Sequence, residues 1–145
     1  MSMKIVVLDG YNAKGEELNF DFLKKYGEVA YYDRTAPEDV LNRIVDADIV
    51  LLNKVVLTRE IMAQCKKLKF VSILATGYNV VDVKAARDLE ITVSNVPYYS
   101  TASVAQLTFA FILEFASRVA ARDESVHSGV WQNSKDFAYT VGTLH

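Results

Sequence analysis

Cysteine is nearly absent from this chain of 145 residues: Cys65 stands alone, so no intrachain disulfide can form. A lone thiol at the end of a helical pattern, with no base arranged beside it, reads as a packed or half-exposed residue in a reduced compartment. Glycine is scarce as well, at positions 10, 15, 27, 77, 129 and 142. No two are spaced for G-x-G-x-x-G or for a Walker A loop, which excludes both fingerprints from these residues. Histidine occurs only at 127 and 145, and neither has a second His, Cys or carboxylate at ligand spacing, so no metal site is expected. A G-x-S-x-G elbow is missing too. No apolar run reaches the roughly 18 residues of a membrane span, so no membrane partner is expected. The chain opens MSMKIVVLDG, going straight into a strand with no charged n-region and apolar h-region; Met1-Ser2 reads as a cloning remnant and the location as cytoplasmic.

The composition present is globular, with 51% hydrophobic and 23% charged residues and a net charge of −2. The pI near 5.7 gives nucleic acid no basic surface to meet. The one basic cluster, Lys66, Lys67 and Lys69 around Leu68, reads as a solvated helix end. Five β-type runs follow one another: Lys4–Leu8, Glu28–Tyr31, Ile49–Leu52, Phe70–Leu74 and Thr92–Ser94. Three of them are apolar throughout, as in strands covered on both faces. Helical patterns alternate with them at 18–25, 37–45, 59–64 and 83–89. Gly27 is expected to stop the first, and Thr35 with Glu38 to open the second as a capping box around Pro37. Strict β-α alternation predicts an α/β doubly wound parallel sheet of five strands, flavodoxin-like, in the order 2-1-3-4-5.

Past Pro97 the pattern changes to one long helix over 103–127, with Ser103 and Gln106 as a second possible capping box. Its apolar positions cover nearly the whole circumference. Such a helix must be buried on every side, which predicts another domain or subunit around it.

Two segments are candidates for binding chemistry. The run 73–82 leaves the fourth strand and enters a helix near Asp82. Gly77 lets a ligand approach the backbone, and successive N–H groups in such a turn can hold an anion; an ordinary βα turn needing one glycine is the plainer alternative. Asn53-Lys54 follows the third strand on the same edge, where a cation pairs well with a small carboxylate, although a lysine there is also an ordinary surface residue.

The residues Asn53 to Thr58, Ala75 to Asp82, Ala85-Ala86, Val93, Asn95-Val96-Pro97, Tyr99-Ser100-Thr101, Ser103 to Gln106 and Thr108-Phe109-Ala110 stand in an order and spacing that resembles a known family. It is the NAD(P)-dependent D-2-hydroxyacid dehydrogenases, in the glycerate dehydrogenase (hydroxypyruvate reductase) branch, and the likeness runs over about residues 4–140. The resemblance implies that residues 1–98 form the substrate domain. Residues 99–145 would carry the interdomain and dimerisation helix, and the start of a Rossmann cofactor domain. It implies substrate contacts at Lys54, Thr76 and Gly77, with Val104 and Thr108 by the cofactor, which is NAD or NADP. The partners it implies are a small 2-keto or 2-hydroxy acid and a second copy docked through the 103–120 helix.

The family's catalytic arginine, acid and histidine have no counterpart here, and neither His127 nor His145 matches that histidine. The expected reading is a fragment with no catalytic residue of its own, binding no cofactor and inactive alone. Gln106 stands where the family commonly has Glu, and Gln appears at that position in the glycerate-type branch. The alternative is a free-standing flavodoxin-like binding or regulatory module. A receiver-like domain is disfavoured because Asn53 replaces the expected strand-end acid, although Asp9 could start an acidic pocket.

Overall fold

The computed structural model describes residues 2–13 and 19–136. Leu18 and the segment 137–145, including Phe137, Tyr139 and His145, lie outside the described residues. The chain divides into two compact units, Met1–Tyr98 and Tyr99–His145.

The first unit holds strands β1 (Met3–Val7), β2 (Gly27–Tyr31), β3 (Ile49–Leu52), β4 (Phe70–Ile73) and β5 (Thr92–Ser94). All pairings are parallel and the spatial order is β2-β1-β3-β4-β5, the order expected from the alternation. Alternate residues of the strands point to opposite faces. Val6, Leu8, Val50, Leu52, Val71 and Ile73 enter the main core. There they meet Val40 and Ile44 of α1 (Val40–Ile44), Met62 of α2 (Arg59–Gln64), and Ala85 and Ala86 of α3 (Val83–Asp88). The small alanines let α3 sit close to the sheet. Ile5, Val7 and Leu51 face the other way, onto a smaller cluster with Phe20. That face is only partly covered, and Met3 remains 42% exposed. Continuous apolar strands therefore overstated the cover on this side.

Local geometry departs from the sequence reading at several points. The first helical pattern is a 3-10 turn, Asp21–Lys25. Gly27 does not stop it but begins β2, because a Cβ there would meet the Met3 carbonyl oxygen at 2.1 Å. The Thr35 capping box does not form. Chain entry is a 3-10 turn at Pro37–Asp39 with Ala36 as N-cap, and the Thr35 hydroxyl donates instead to the Leu8 carbonyl. Tertiary bonding to the end of β1 outcompetes the local cap. Real caps stand elsewhere: Asp82 accepts the Ala85 N–H at 2.8 Å, and Thr58 accepts that of Ile61 at 3.5 Å. Since α2 ends at Gln64, Lys66, Lys67 and Lys69 occupy the turn beyond it. Cys65 is buried, its Sγ 3.3 Å from the Ile61 carbonyl oxygen.

The second unit carries α4 (Thr101–Ser117) and α5 (Val119–His127). The expected single helix is broken at Arg118, whose φ of 50° is left-handed, and the two pieces are bent by 55°. A non-glycine residue in that region ends a helix by stopping its i→i−4 ladder. The break is held by the Ala120 N–H on Glu114 Oε1 at 3.1 Å and Arg122 Nε on the Ser117 carbonyl at 2.7 Å. Ser103 is no N-cap: α4 starts two residues earlier, after Ser100, with no side-chain cap. The helix buries none of its residues, and Phe111 and Phe115 are 67% and 88% exposed. Among the described residues no single helix is long and apolar enough to cross a membrane.

Candidate functional site

Parallel strands send all their carboxyl ends to one edge, where open α/β sheets bind ligands. Four turns meet there, following β1, β3, β4 and β5.

The turn after β4 is strapped to the turn after β5. Asn95 Nδ2 donates to the Thr76 carbonyl at 2.8 Å, the Thr76 hydroxyl to the Val96 carbonyl at 3.0 Å, and the Val96 N–H to the Ala75 carbonyl at 3.1 Å. Its far side is tied to Leu57, which donates to the Val80 carbonyl at 2.8 Å and accepts from Asp82 N–H at 3.1 Å. The straps use carbonyls and a hydroxyl of residues 75–76. The N–H groups of Thr76 and Gly77 find no acceptor among the described residues, and both residues are exposed. Paired, outward amides on a fixed turn suit one oxygen of a small anion. A Cβ on Gly77 would meet only Asn79 Oδ1, at 3.4 Å, so the glycine leaves open space and not a tight turn.

The turn after β3 is organised by Asp9, the buried acid at the end of β1. Its Oδ1 accepts the Asn53 N–H at 2.7 Å; its Oδ2 accepts those of Lys54 at 2.5 Å and Val55 at 3.2 Å. Order 2-1-3-4-5 has its switch point between β1 and β3, so this carboxylate occupies the crevice where flavodoxin-like sheets place a ligand. A groove of about 440 Å³ opens beside it, lined in part by Arg34, Thr35, Lys54 and Val56. Arg43 lies behind the lining and ties two of its residues together. It donates to the Arg34 carbonyl at 2.8 Å and to Thr35 Oγ1 at 2.7 Å, and its guanidinium lies 4.0 Å from the Tyr32 ring centre. Outside this groove, on the face that carries Phe20, burial and then the adjoining Asp33 hold the Tyr31 hydroxyl above its ordinary pKa.

Lys54 and the pair Thr76–Gly77 thus leave neighbouring strands at one edge, but the groove that Lys54 lines does not include Thr76 or Gly77. Val104 and Thr108 lie in α4 of the other unit, exposed, with the Thr108 hydroxyl donating to the Val104 carbonyl at 2.8 Å. Contrary to the sequence reading, a carboxylate does stand one helical turn from a histidine: His127, at the end of α5, sits 3.3 Å from Asp123, because residues four apart share a helix face. Among the described residues no group of three His, Cys, Asp or Glu side chains is placed to hold a metal. Sequence reasoning missed two residues that hold the turns: Asn95 appeared only inside a motif, and Asp9 only as a receiver-like acid. The signal for Asp9 was an acid ending an apolar strand, but its partners lie 44 to 46 residues away.

The first unit is a five-stranded parallel α/β sheet whose carboxyl edge carries the exposed Thr76–Gly77 turn. Residues 5–144 match the family model described as D-isomer specific 2-hydroxyacid dehydrogenase, catalytic domain, and the chain belongs to that family. It is 45% identical over 140 residues to a hydroxypyruvate reductase of Blautia hydrogenotrophica, covering 94% of this chain and 44% of the relative. It is 31% identical over 139 residues to a glycerate dehydrogenase of Methylorubrum extorquens, covering 96% and 44%. Among solved structures, an acyclic imino acid reductase in complex with NADPH and D-Arg superposes with a TM-score of 0.76 at 27% identity, covering 95% of this chain and 45% of that one. The chain therefore spans less than half the length of these relatives.

Proposed function

We propose that this chain is the substrate-recognising part of an oxidoreductase that reduces a small 2-keto acid, of the hydroxypyruvate or glyoxylate type, to the D-2-hydroxy acid with NAD(P)H. The observation that carries this reading is the Thr76–Gly77 turn, whose two outward amides sit on a backbone fixed by Asn95 and Val96. In this reading one substrate carboxylate oxygen takes those amides, and Lys54 supplies the cation from the adjacent turn. Residues 1–98 act as the substrate domain. Residues 99–145 carry the helix that joins it to a cofactor domain and docks a second copy on its apolar surface. The likeness to hydroxypyruvate and glycerate enzymes supports the substrate class.

The residues present do not build a dinucleotide site. No glycine-rich turn leads into a helix, and Val104 and Thr108 offer at most a flank to NAD or NADP, with the Thr108 hydroxyl proton already given to its own helix. Hydride and proton transfer are therefore assigned to no residue of this chain. Its own work is to bind the carboxylate and fix which way the keto carbon faces.

The test is steady-state reduction of hydroxypyruvate and glyoxylate by the complete oxidoreductase, followed through loss of the reduced nicotinamide. Turnover of both is expected, with kcat/KM about a hundredfold lower for the matching 2-keto amide, which leaves the Thr76 and Gly77 amides and the Lys54 ammonium without an anion. Equal turnover of acid and amide, or none of either, overturns the reading.

A further inference from the structure

Asp9 is 5% exposed and is the buried charged side chain among the described residues. Its two oxygens take three consecutive backbone N–H groups, from Asn53, Lys54 and Val55. Three converging amides make a cradle of the kind that holds anions, and here the anion is built into the chain. The turn after β3 thus has its shape set before any ligand arrives. Asp9 meets the backbone of Lys54 and not its ammonium, and the ammonium pairs with no carboxylate among the described residues. A carboxylate that neutralised the lysine would compete with an anionic substrate. One that grips only its backbone leaves the charge available and removes the freedom of the turn that carries it.

We propose that Asp9 is a positioning residue for substrate binding, holding the turn that presents Lys54 to the substrate carboxylate. The inference rests on the proposed role of Lys54. Preorganising a binding group lowers the entropy lost on association, so the effect falls on substrate affinity and leaves cofactor affinity alone.

The experiment is a double-mutant cycle in the complete enzyme, with Asp9→Asn, Lys54→Met and the pair, assayed with hydroxypyruvate and reduced cofactor. Lys54→Met is expected to raise KM for hydroxypyruvate about tenfold and Asp9→Asn about fivefold, with the cofactor KM within about twofold of the parent. The double variant is expected to match Lys54→Met alone, because a misplaced turn is of no consequence once the ammonium is gone. An undiminished effect of Asp9→Asn in the Lys54→Met background overturns the inference, as does an equal rise in both KM values. A normal KM in Asp9→Asn beside a raised one in Lys54→Met overturns the positioning role only. A normal KM in Lys54→Met overturns the substrate role of Lys54 and this inference with it. Should Asp9→Asn not fold, Asp9→Glu keeps an acceptor in the cradle but moves the turn by one methylene, and the same dependence on Lys54 is expected.

Discussion

The side-chain amide of Asn95 reaches across from the exit of β5 and donates to the Thr76 carbonyl at 2.8 Å, while Thr76 returns its hydroxyl to the Val96 carbonyl. The carbonyl of residue 76 thereby has a partner, while the amides of 76 and 77 have none among the described residues. Two turns that are 19 residues apart in sequence behave as one unit.

Breaking that strap should loosen the turn without unfolding the sheet. Asn95→Ala and Thr76→Val each remove one exposed hydrogen bond, worth about 0.5–1.5 kcal/mol. Thermal unfolding should show a small loss for each, and hydrogen exchange should speed up at the Val96 amide, which donates to the Ala75 carbonyl, while β3 and β4 stay protected.

Gly77 and Gly27 should respond oppositely to alanine. At Gly77 an added methyl meets nothing closer than 3.4 Å, so stability should change by less than about 1 kcal/mol while the KM for the keto acid rises. At Gly27 the methyl would strike the Met3 carbonyl oxygen, a backbone atom in the β1–β2 pairing, and a loss of about 2 kcal/mol or more is expected from such strain. Denaturant midpoints of the two variants check both.

Removing the Asp9 carboxylate should be expensive and chemically rescuable. Asp9→Ala leaves three amides without their acceptor, a loss of about 3 kcal/mol or more. Formate is small enough to enter the emptied cradle. Its addition should raise the melting temperature of Asp9→Ala more than that of the parent, and an equal shift in the two would speak against the cradle.

Stability should fall on the alkaline side through Cys65. Burial pushes its thiol above the ordinary 9.0. A group whose folded value is raised contributes fully below its unfolded value and loses that contribution as pH climbs through the folded one. Cys65→Ala should therefore be less stable than the parent at neutral pH, and the gap should narrow as the pH passes about 9. Tyr31 and Lys4, both raised, keep some alkaline loss in either protein. Urea midpoints across that range provide the measurement.

The apolar surface of α4 should drive self-association of this chain. Leu107, Phe109, Phe111, Leu113 and Phe115 are each more than half exposed, and covering them removes substantial apolar area from water. Sedimentation should show concentration-dependent species above 16.2 kDa. Phe111→Glu with Phe115→Glu should shift them toward the monomer.

The strands and their order were legible in the sequence because both follow from local rules: apolar runs of strand length, alternation with helical patterns, and right-handed crossovers. The helix start near Asp82 and the turn around Gly77 were legible for the same reason, while the Asp82 side-chain cap itself came from the structure. The Thr35 and Ser103 caps were not, because a hydroxyl chooses between a neighbouring amide and any carbonyl the fold brings closer. Neither was the break at Arg118, which nothing in the run 103–127 marks with glycine or proline.

What the sequence determined by itself, then, is the fold class, the family pattern, and the lack of a dinucleotide fingerprint in these 145 residues. Only the tertiary structure decided how the candidate site is held. Asp9 and Asn95 are ordinary polar residues in sequence, and their meaning comes from partners 44 and 19 positions away. The physical reason is that parallel pairing gathers strand ends from distant parts of the chain onto one edge. Hydrogen bonds formed there depend on register and depth, which no local pattern encodes.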